Sequence, residues 1–313
     1  MKEKKHTLSL FSLTMMTVVS VDSIRNLPAT ALLGSQLVSY FILGALFFLI
    51  PVALVSAELS SGWPKRGGIY VWVKEAFGPR VGFLAIWLQW ISNVIWYPLI
   101  LSFVASSVSY LFASSLSGNP WFLWASIGIV FCAMTLLNLR GLKAAAWFSN
   151  FSSLLGLLLP MTLIIILGVV WLMQGHASAI DLHWTRLLPD WSQKSMWVSL
   201  VAIILSFGGM EIATVHANDV ADPQRTFPKA LLYSVLILLS TLILGSLAIA
   251  VVLPQQEISL VAGIMQAYEI FFAKYHLSWM MPLVALMLIS PHRSSLACSG
   301  RKSRTARQCA ASS

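Results

Sequence analysis

The chain has 313 residues, of which 58% are apolar and 10% are charged, and its formal net charge is +9. A soluble domain carries about 25% charged residues, so the few charges here cannot cover the surface of a soluble enzyme of this length. The composition also excludes disordered, collagen-like and disulfide-framework proteins. Three cysteines without a CxxC pair or zinc-ligand spacing give no sign of metal or redox chemistry, and no cofactor is expected.

Apolar runs long enough to cross a membrane recur along the chain. A bilayer core about 30 Å thick needs roughly 20 apolar helical residues, which predicts an all-α, polytopic membrane protein with seven full spans and part of an eighth. The full spans cover residues 10–33, 37–57, 81–113, 121–139, 144–173, 196–217 and 230–253, and the partial one covers residues 279–289. The third span is too long for an upright helix, which predicts a tilt or a bend at Pro98.

Basic residues set the predicted orientation, because Lys and Arg are retained on the cytoplasmic side. With the amino terminus inside, most of the twenty basic residues lie inside, whereas Arg186, Lys194 and Lys274 lie outside. The positive charge therefore indicates a cytoplasmic amino terminus, and no nucleic-acid partner is expected. A cleaved secretory signal ending at residues 29–31 is the alternative, but the charged gap before that site is unusually long.

Three charged residues lie near the middle of a span: Asp22, Arg25 and Glu211. Each costs at least about 2.5 kcal/mol at a helix centre, so each needs a partner, a watery cavity or a neutral state. Asp22 and Arg25, three residues apart, could simply neutralise one another on one helix face. Glu211 has no charged neighbour in its span, which predicts a proton-coupling carboxyl. The alternative is a protonated Glu that is hydrogen-bonded to a neighbouring helix.

Both spans that hold these charges are predicted to be interrupted. Residues 20–28 (SVDSIRNLP) combine side chains that compete for backbone hydrogen bonds with Pro28, which lacks a donor. In the sixth span Gly208 and Gly209 are adjacent, and each lowers helix propensity by about 1 kcal/mol. Interrupted helices at membrane depth leave backbone groups free to bind a substrate, although a glycine pair can also serve close helix packing.

The two interruptions are five spans apart, an odd number, so two five-span units must have opposite orientations. That is the arrangement of inverted-repeat transporters with a site near the bilayer midplane.

A weaker feature is the polar stripe of Gln89, Asn93 and Tyr97 in the third span, which could line a pathway or form interhelical hydrogen bonds. Residues 67–78 are typical of a short helix in the cytoplasmic interface.

Three stretches of the sequence resemble one transporter family: GGIYVWVKEAFGPRVGF (67–83), LSFGGMEIATVHANDVADPQRTFP (205–228) and VLPQQEISLVAGIMQ (252–266). They are similar to the glutamate:GABA antiporter branch of the amino acid/polyamine/organocation (APC) superfamily. The resemblance implies a LeuT-like fold of twelve helices with two inverted five-helix repeats, and amino acid exchange that is often linked to protons. It places Glu211 at the acidic position associated with proton coupling. The substrate-binding breaks would comprise Asp22, Ser23, Ile24, Arg25 and Asn26 in the first span and Ser206, Phe207, Gly208, Gly209 and Met210 in the sixth.

The sequence departs from the family pattern in two places. Residues 20–28 contain no glycine, whereas the superfamily usually has a glycine-rich break there. The resemblance also ends inside the eighth span, and residues 290–313 change abruptly to a basic, Ser-rich composition without any acidic residue. We therefore expect a transporter core over residues 1–289, with a first repeat over 8–173 and a partial second repeat over 196–289. The hypothesis for residues 290–313 is a frameshifted or truncated end, with a genuine lipid-binding tail as the alternative.

These patterns predict an inner-membrane amino acid transporter, an exchanger linked to protons and working by alternating access, or a truncated remnant of one. Its expected partners are an amino acid such as glutamate or a related one, protons and membrane lipid. A nonfunctional or structural membrane fragment is the alternative. An intramembrane hydrolase is less favoured because the sequence contains no HExxH or GxSxG motif.

Overall fold

The computed structural model describes residues 9–62, 68–112, 116, 119–139, 154–181, 183, 187–188, 195–211, 214, 220 and 222–289. Within these ranges the secondary structure is helical apart from turns and one isolated bridge residue, Val220. The predicted tail at 290–313 and the first part of the fifth span lie outside the described residues.

The regular elements of the described residues are helices, and most of them are apolar. In chain order they are α1 (Leu10–Val21), α2 (Leu27–Ala31), α3 (Gly34–Gly62), α4 (Ile69–Phe77), α5 (Pro79–Phe112), α6 (Pro120–Leu139), α7 (Leu159–Met173), α8 (Ser195–Ser206), α9 (Pro223–Val252), α10 (Gly263–Lys274) and α11 (Ser278–Ile289). A 3-10 turn, Ile24–Asn26, lies between α1 and α2, and π-helical turns occupy Ala45–Leu49 within α3 and Leu154–Leu158 before α7.

Four helices of the described chain are long and apolar enough to cross a bilayer: α3, α5, α9 and the helix Gly156–Met173. Shorter apolar helices cover Pro120–Cys132, Trp197–Ser206 and Ser278–Ile289 in their described parts. The all-α, multi-pass character is thus confirmed. The first and sixth predicted spans are shorter as helices because both are interrupted, and α5 runs through Pro98 as a single helix.

The surface of these helices is apolar where a soluble protein would be charged. In α3 the side chains of Ile42, Leu46, Phe47 and Leu54 are all more than half exposed. A helix that is apolar on its exposed face as well as its buried face requires lipid around it. This pattern indicates that α3 is surrounded by acyl chains rather than water.

The chain forms two compact units that are each built from separate segments. Unit one comprises Met1–Asn26, Leu33–Trp96 and Ile180–Leu247. Unit two comprises Leu27–Leu32, Tyr97–Ala179 and Ala248–Ser313.

Within unit one, α3 packs closely against α8 at Gly44. A Cβ atom on Gly44 would lie 2.9 Å from Ile203 Cγ2 and 3.1 Å from Phe207 Cε2. The Phe207 ring is fully buried and meets Phe41 edge to face, with 5.8 Å between ring centroids. The absence of a side chain at residue 44 therefore lets the two helices approach.

Also in unit one, α1 and α9 lie side by side and run parallel. The Ser234 hydroxyl of α9 lies 3.3 Å from the carbonyl of Thr14 in α1. Two turns later, Thr241 of α9 contacts Asp22 at the end of α1. Because both contacts advance in the same direction along the two helices, the first and seventh predicted spans start on the same side of the membrane. The alternation of spans requires this arrangement.

Within unit two, α10 supplies the buried aromatic side chains. Tyr268, Phe271 and Phe272 are almost fully buried, and the Tyr268 hydroxyl donates to the carbonyl of Pro160. Trp171 of α7 meets Phe271 edge to face at 5.8 Å. These contacts attach α10, which is too short to cross a bilayer, to the membrane-length helix that contains α7.

Candidate functional site

The first interruption begins where α1 ends at Val21. The Asp22 amide donates to the carbonyl of Val18 at 2.7 Å, but its own backbone is extended, with φ −66° and ψ 127°. The chain then makes the 3-10 turn Ile24–Asn26 before α2 starts. The predicted break in the first span is therefore confirmed. Pro28 lies in the first turn of α2, where a missing backbone donor has little cost.

This interruption concentrates polar atoms that have no partner in the protein. Asp22 is 5% exposed and Ser23 is 6% exposed. Among the described residues, five buried side-chain polar atoms lack a hydrogen bond, and three of them are here: Asp22 Oδ1, Ser23 Oγ and Arg25 Nε. Buried polar atoms are nearly always paired in native proteins. Three unpaired atoms within four residues therefore indicate a place where a polar ligand or water binds.

The second carboxylate oxygen of Asp22 has a partner from another helix. Thr241 Oγ1 of α9 lies 3.0 Å from Asp22 Oδ2. Sequence reasoning missed Thr241. Thr241 is one of several hydroxyl residues in the seventh span, and nothing local connects it to a residue that is 219 positions away.

Arg25 is held by its neighbours and not by Asp22. Its Nη2 donates to Asn26 Oδ1 at 3.3 Å, and its Cζ lies 5.4 Å from the centroid of the Trp96 ring. In the described chain Asp22 and Arg25 form no ion pair with each other, so the alternative in which they neutralise one another on one helix face does not hold. The spacing i, i+3 brings side chains together only in a continuous helix, and the helix ends before Asp22.

The second interruption follows α8 directly. Phe207, Gly208 and Gly209 form a turn after Ser206, and Gly209 has a φ of +114°, a conformation that favours glycine. The Phe207 and Gly208 amides donate to carbonyls three residues earlier, at 3.1 Å and 3.3 Å. The predicted break of the sixth span is therefore confirmed. The fully buried Met210 follows the turn.

Glu211 lies just after this turn and is only half-buried. Its backbone carbonyl accepts a hydrogen bond from Thr214 Oγ1 at 2.5 Å. The sequence predicted a carboxyl enclosed within a span. The side chain is instead more open, because the helix ends before it. Residues 212–213, 215–219 and 221 lie outside the described residues.

Both interruptions belong to unit one, which contains residues 22–26 and 206–211. A cavity of about 360 Å³ in the same unit is lined by Leu10, Phe11, Thr14 and Met15 of α1 together with α9 side chains. Its lining is apolar and lies toward the start of α1, so it is not the site at the interruption.

Of the polar stripe in α5, Gln89 is described, and the side chains of Asn93 and Tyr97 lie outside the described residues.

Over the described ranges, no three His, Cys, Asp or Glu side chains come together in a group that could hold a metal ion. The chemistry available at the interruptions is that of hydrogen bonding and charge: a carboxyl, a hydroxyl and a guanidinium at the first, and exposed backbone at the second.

The chain is similar to known transporters over most of its length. The family model described as amino acid permease matches residues 8–298. An uncharacterized transporter of Legionella pneumophila is 47% identical over 289 residues, which are 92% of this chain and 62% of that protein. Two glutamate/gamma-aminobutyrate antiporters of Lactococcus lactis, from subspecies cremoris and lactis, are 31% and 30% identical over 92% of this chain and 58% of their own length. The chain thus spans about three-fifths of the length of these curated relatives.

Proposed function

Because the chain belongs to the amino acid permease family, we propose that it exchanges amino acids across the bacterial inner membrane, with its amino terminus in the cytoplasm. The family and the relatives are transporters, not hydrolases. The proposed substrate is glutamate or a related amino acid, by analogy with the Lactococcus relatives, which are glutamate/gamma-aminobutyrate antiporters. The proposed mechanism is alternating access, in which the substrate binds at the two interruptions and the surrounding helices open to one side at a time.

The observation that carries this proposal is the cluster of unpaired polar atoms at the first interruption. An amino acid brings an ammonium group and a carboxylate, which need acceptors and donors respectively. Asp22 Oδ1 is a free acceptor and Arg25 Nε is a free donor, and the Ser23 hydroxyl can act as either. The proposed substrate site comprises Asp22, Ser23, Ile24, Arg25 and Asn26 with Ser206, Phe207, Gly208, Gly209 and Met210.

In this proposal Glu211 couples exchange to protons. It follows the second interruption and is half-buried, so it can meet water in one conformation and be enclosed in the other. Glu211→Gln, which cannot release a proton, is expected to leave exchange without a pH gradient largely intact and to remove its stimulation by a gradient. Uptake by Glu211→Gln that is undiminished and equally pH-dependent would contradict this role.

The test of the site is exchange by the full chain in liposomes preloaded with amino acid. Ser23 of the first interruption and Ser20 in the last turn of α1 form a matched pair. Ser23 Oγ has no partner, whereas the Ser20 hydroxyl donates to the carbonyl of Met16 at 2.7 Å. One lost hydrogen bond to substrate corresponds to about 0.5–1.5 kcal/mol, so Ser23→Ala is expected to weaken apparent affinity about twofold to twelvefold. Ser20→Ala is expected to have no such effect.

The alternative function, a structural membrane fragment, predicts a different result. It gives no exchange and no shift of the melting temperature in the presence of any amino acid. Equal effects of Ser23→Ala and Ser20→Ala on exchange would place the substrate elsewhere and contradict the proposed site.

A further inference from the structure

The contact between Asp22 and Thr241 supports a function that the substrate proposal does not use. We propose that Asp22 and Thr241 form a proton-binding site, distinct from Glu211, in which the Thr241 hydroxyl changes its hydrogen-bond acceptor when the Asp22 carboxyl gains or loses a proton. The use of this proton in transport rests on the proposed function, but the site itself does not.

The Thr241 hydroxyl has more acceptors around it than hydrogens to donate. This oxygen lies 3.0 Å from Asp22 Oδ2, 2.9 Å from the Ile237 carbonyl and 3.2 Å from the Leu238 carbonyl. A hydroxyl has one hydrogen to donate, and backbone carbonyls and carboxylates only accept. If Asp22 is ionised, the hydroxyl therefore faces three acceptors with a single hydrogen.

A proton on Asp22 resolves this conflict. The carboxyl O–H then donates to Thr241 Oγ1, and the Thr241 hydrogen is donated to the Ile237 carbonyl within α9. On deprotonation the proton goes to water, the Thr241 hydrogen turns to Asp22 Oδ2, and its bond to the carbonyl is lost. Only O–H bonds form and break: one proton is taken from water when Asp22 is protonated and returned to water when it is deprotonated.

Few charged groups lie on the helices that contact Asp22. α1 contains no ionisable residue, and α9 from residue 230 onward contains only the exposed Tyr233, two turns before Thr241. The basic residues Arg225 and Lys229 lie in the first two turns of α9. Arg25 is directed to Asn26 and the Trp96 ring. In the described chain no cation is paired with Asp22, which lies where an unpaired charge in a membrane is costly.

The contact between Asp22 and Thr241 joins α1 to α9 at the first interruption. Asp22 directly follows the last residue of α1, and Thr241 lies near the middle of α9. A second contact, Ser234 to Thr14, joins the same two helices two turns earlier and involves no ionisable group. The protonation state therefore acts on the contact at the interruption and leaves the other contact unchanged.

Infrared difference spectroscopy on the full chain in lipid vesicles tests the site without requiring transport. Steps of pH are expected to produce a carbonyl stretching band of a protonated carboxyl, and labelling with ¹³C-aspartate should shift that band in the unmutated protein. Asp22→Asn should remove it. Thr241→Val, which keeps the shape and removes the hydroxyl, should move the band to higher frequency, whereas Thr241→Ser and Glu211→Gln should leave it in place.

The proposal is overturned if no aspartate band appears over the pH range in which the protein stays folded, or if Thr241→Val leaves the band unchanged. A band that survives Asp22→Asn has the same consequence. Failure of the unmutated chain to exchange amino acids would contradict the proposed function alone, since the spectroscopic result does not depend on it. Melting temperatures of each variant show whether a lost band reflects loss of the fold.

Discussion

The first interruption, between α1 and α2, collects polar side chains, whereas the second, after α8, contains two glycines and a buried aromatic ring. Asp22 and Ser23 are buried with unpaired atoms. Phe207 is packed against Phe41, and Gly209 has a positive φ. One break in unit one therefore offers side-chain chemistry and the other offers backbone geometry fixed by packing. Substitutions should separate these two contributions.

The largest effect on stability is expected at the second interruption, which is held by packing. Phe207→Ala removes a fully buried ring beside Gly44 and Phe41. Loss of a buried Phe leaves a cavity and costs about 3–5 kcal/mol, so the free energy of unfolding in detergent should fall by this amount. Phe77→Ala is the control, because Phe77 is 71% exposed. If the two variants are equally stable, the second interruption is not held by packing.

A smaller effect is expected from the backbone of the second interruption. Gly209→Ala introduces a Cβ at a φ of +114°, which costs roughly 1–2 kcal/mol for a residue other than glycine. Gly62→Ala is the matched control, since a Cβ there would meet no atom within 4 Å. Melting temperatures should separate the two variants. A Gly209→Ala protein as stable as Gly62→Ala would show that the turn does not need glycine.

The smallest effect on stability is expected at the first interruption. Trp96→Leu removes the ring under the Arg25 guanidinium, an interaction of about 0.5–1 kcal/mol. Its larger consequence should be functional, because a released Arg25 changes the apparent affinity for substrate in the liposome exchange assay. Trp90→Leu on the same helix is the control, since Trp90 is 59% exposed. Equal affinities of the two variants would remove Trp96 from the description of the site.

The two interruptions and the long helices could be predicted from local sequence. Pro28 and the competing side chains around it predict an interrupted helix, and adjacent Gly208 and Gly209 predict another, because backbone preferences act over a few residues. Both interruptions are where they were predicted. The apolar runs likewise gave the helices α3, α5 and α9 to within a few residues at most ends.

The partners of the charged residues could not be predicted in the same way. A pairing of Asp22 with Arg25 needs a continuous helix, but α1 ends one residue before Asp22. The contact with Thr241 depends on how α1 and α9 pack. The exposure of Glu211 follows from the position of the turn before it. Contacts between distant segments are set by tertiary packing, which the periodicity of a single span does not encode.

The π-helical turn at Ala45–Leu49 has a consequence for insertions and deletions in α3. Before it the buried positions are Leu37, Tyr40, Phe41 and Gly44, and after it they are Ala53, Ser56, Ala57 and Ser60. The second set is displaced by one residue from a regular continuation of the first, because a π turn accommodates one additional residue.

Removal of one residue within that turn would restore ordinary α-helical spacing and keep the small side chains facing inward. The same deletion just after Ile50 would rotate the following segment by about 100° and bring Leu54 and Glu58 to the positions of Ala53 and Ala57. Length variation in this helix should therefore be tolerated at one place only, the five residues where the register already shifts.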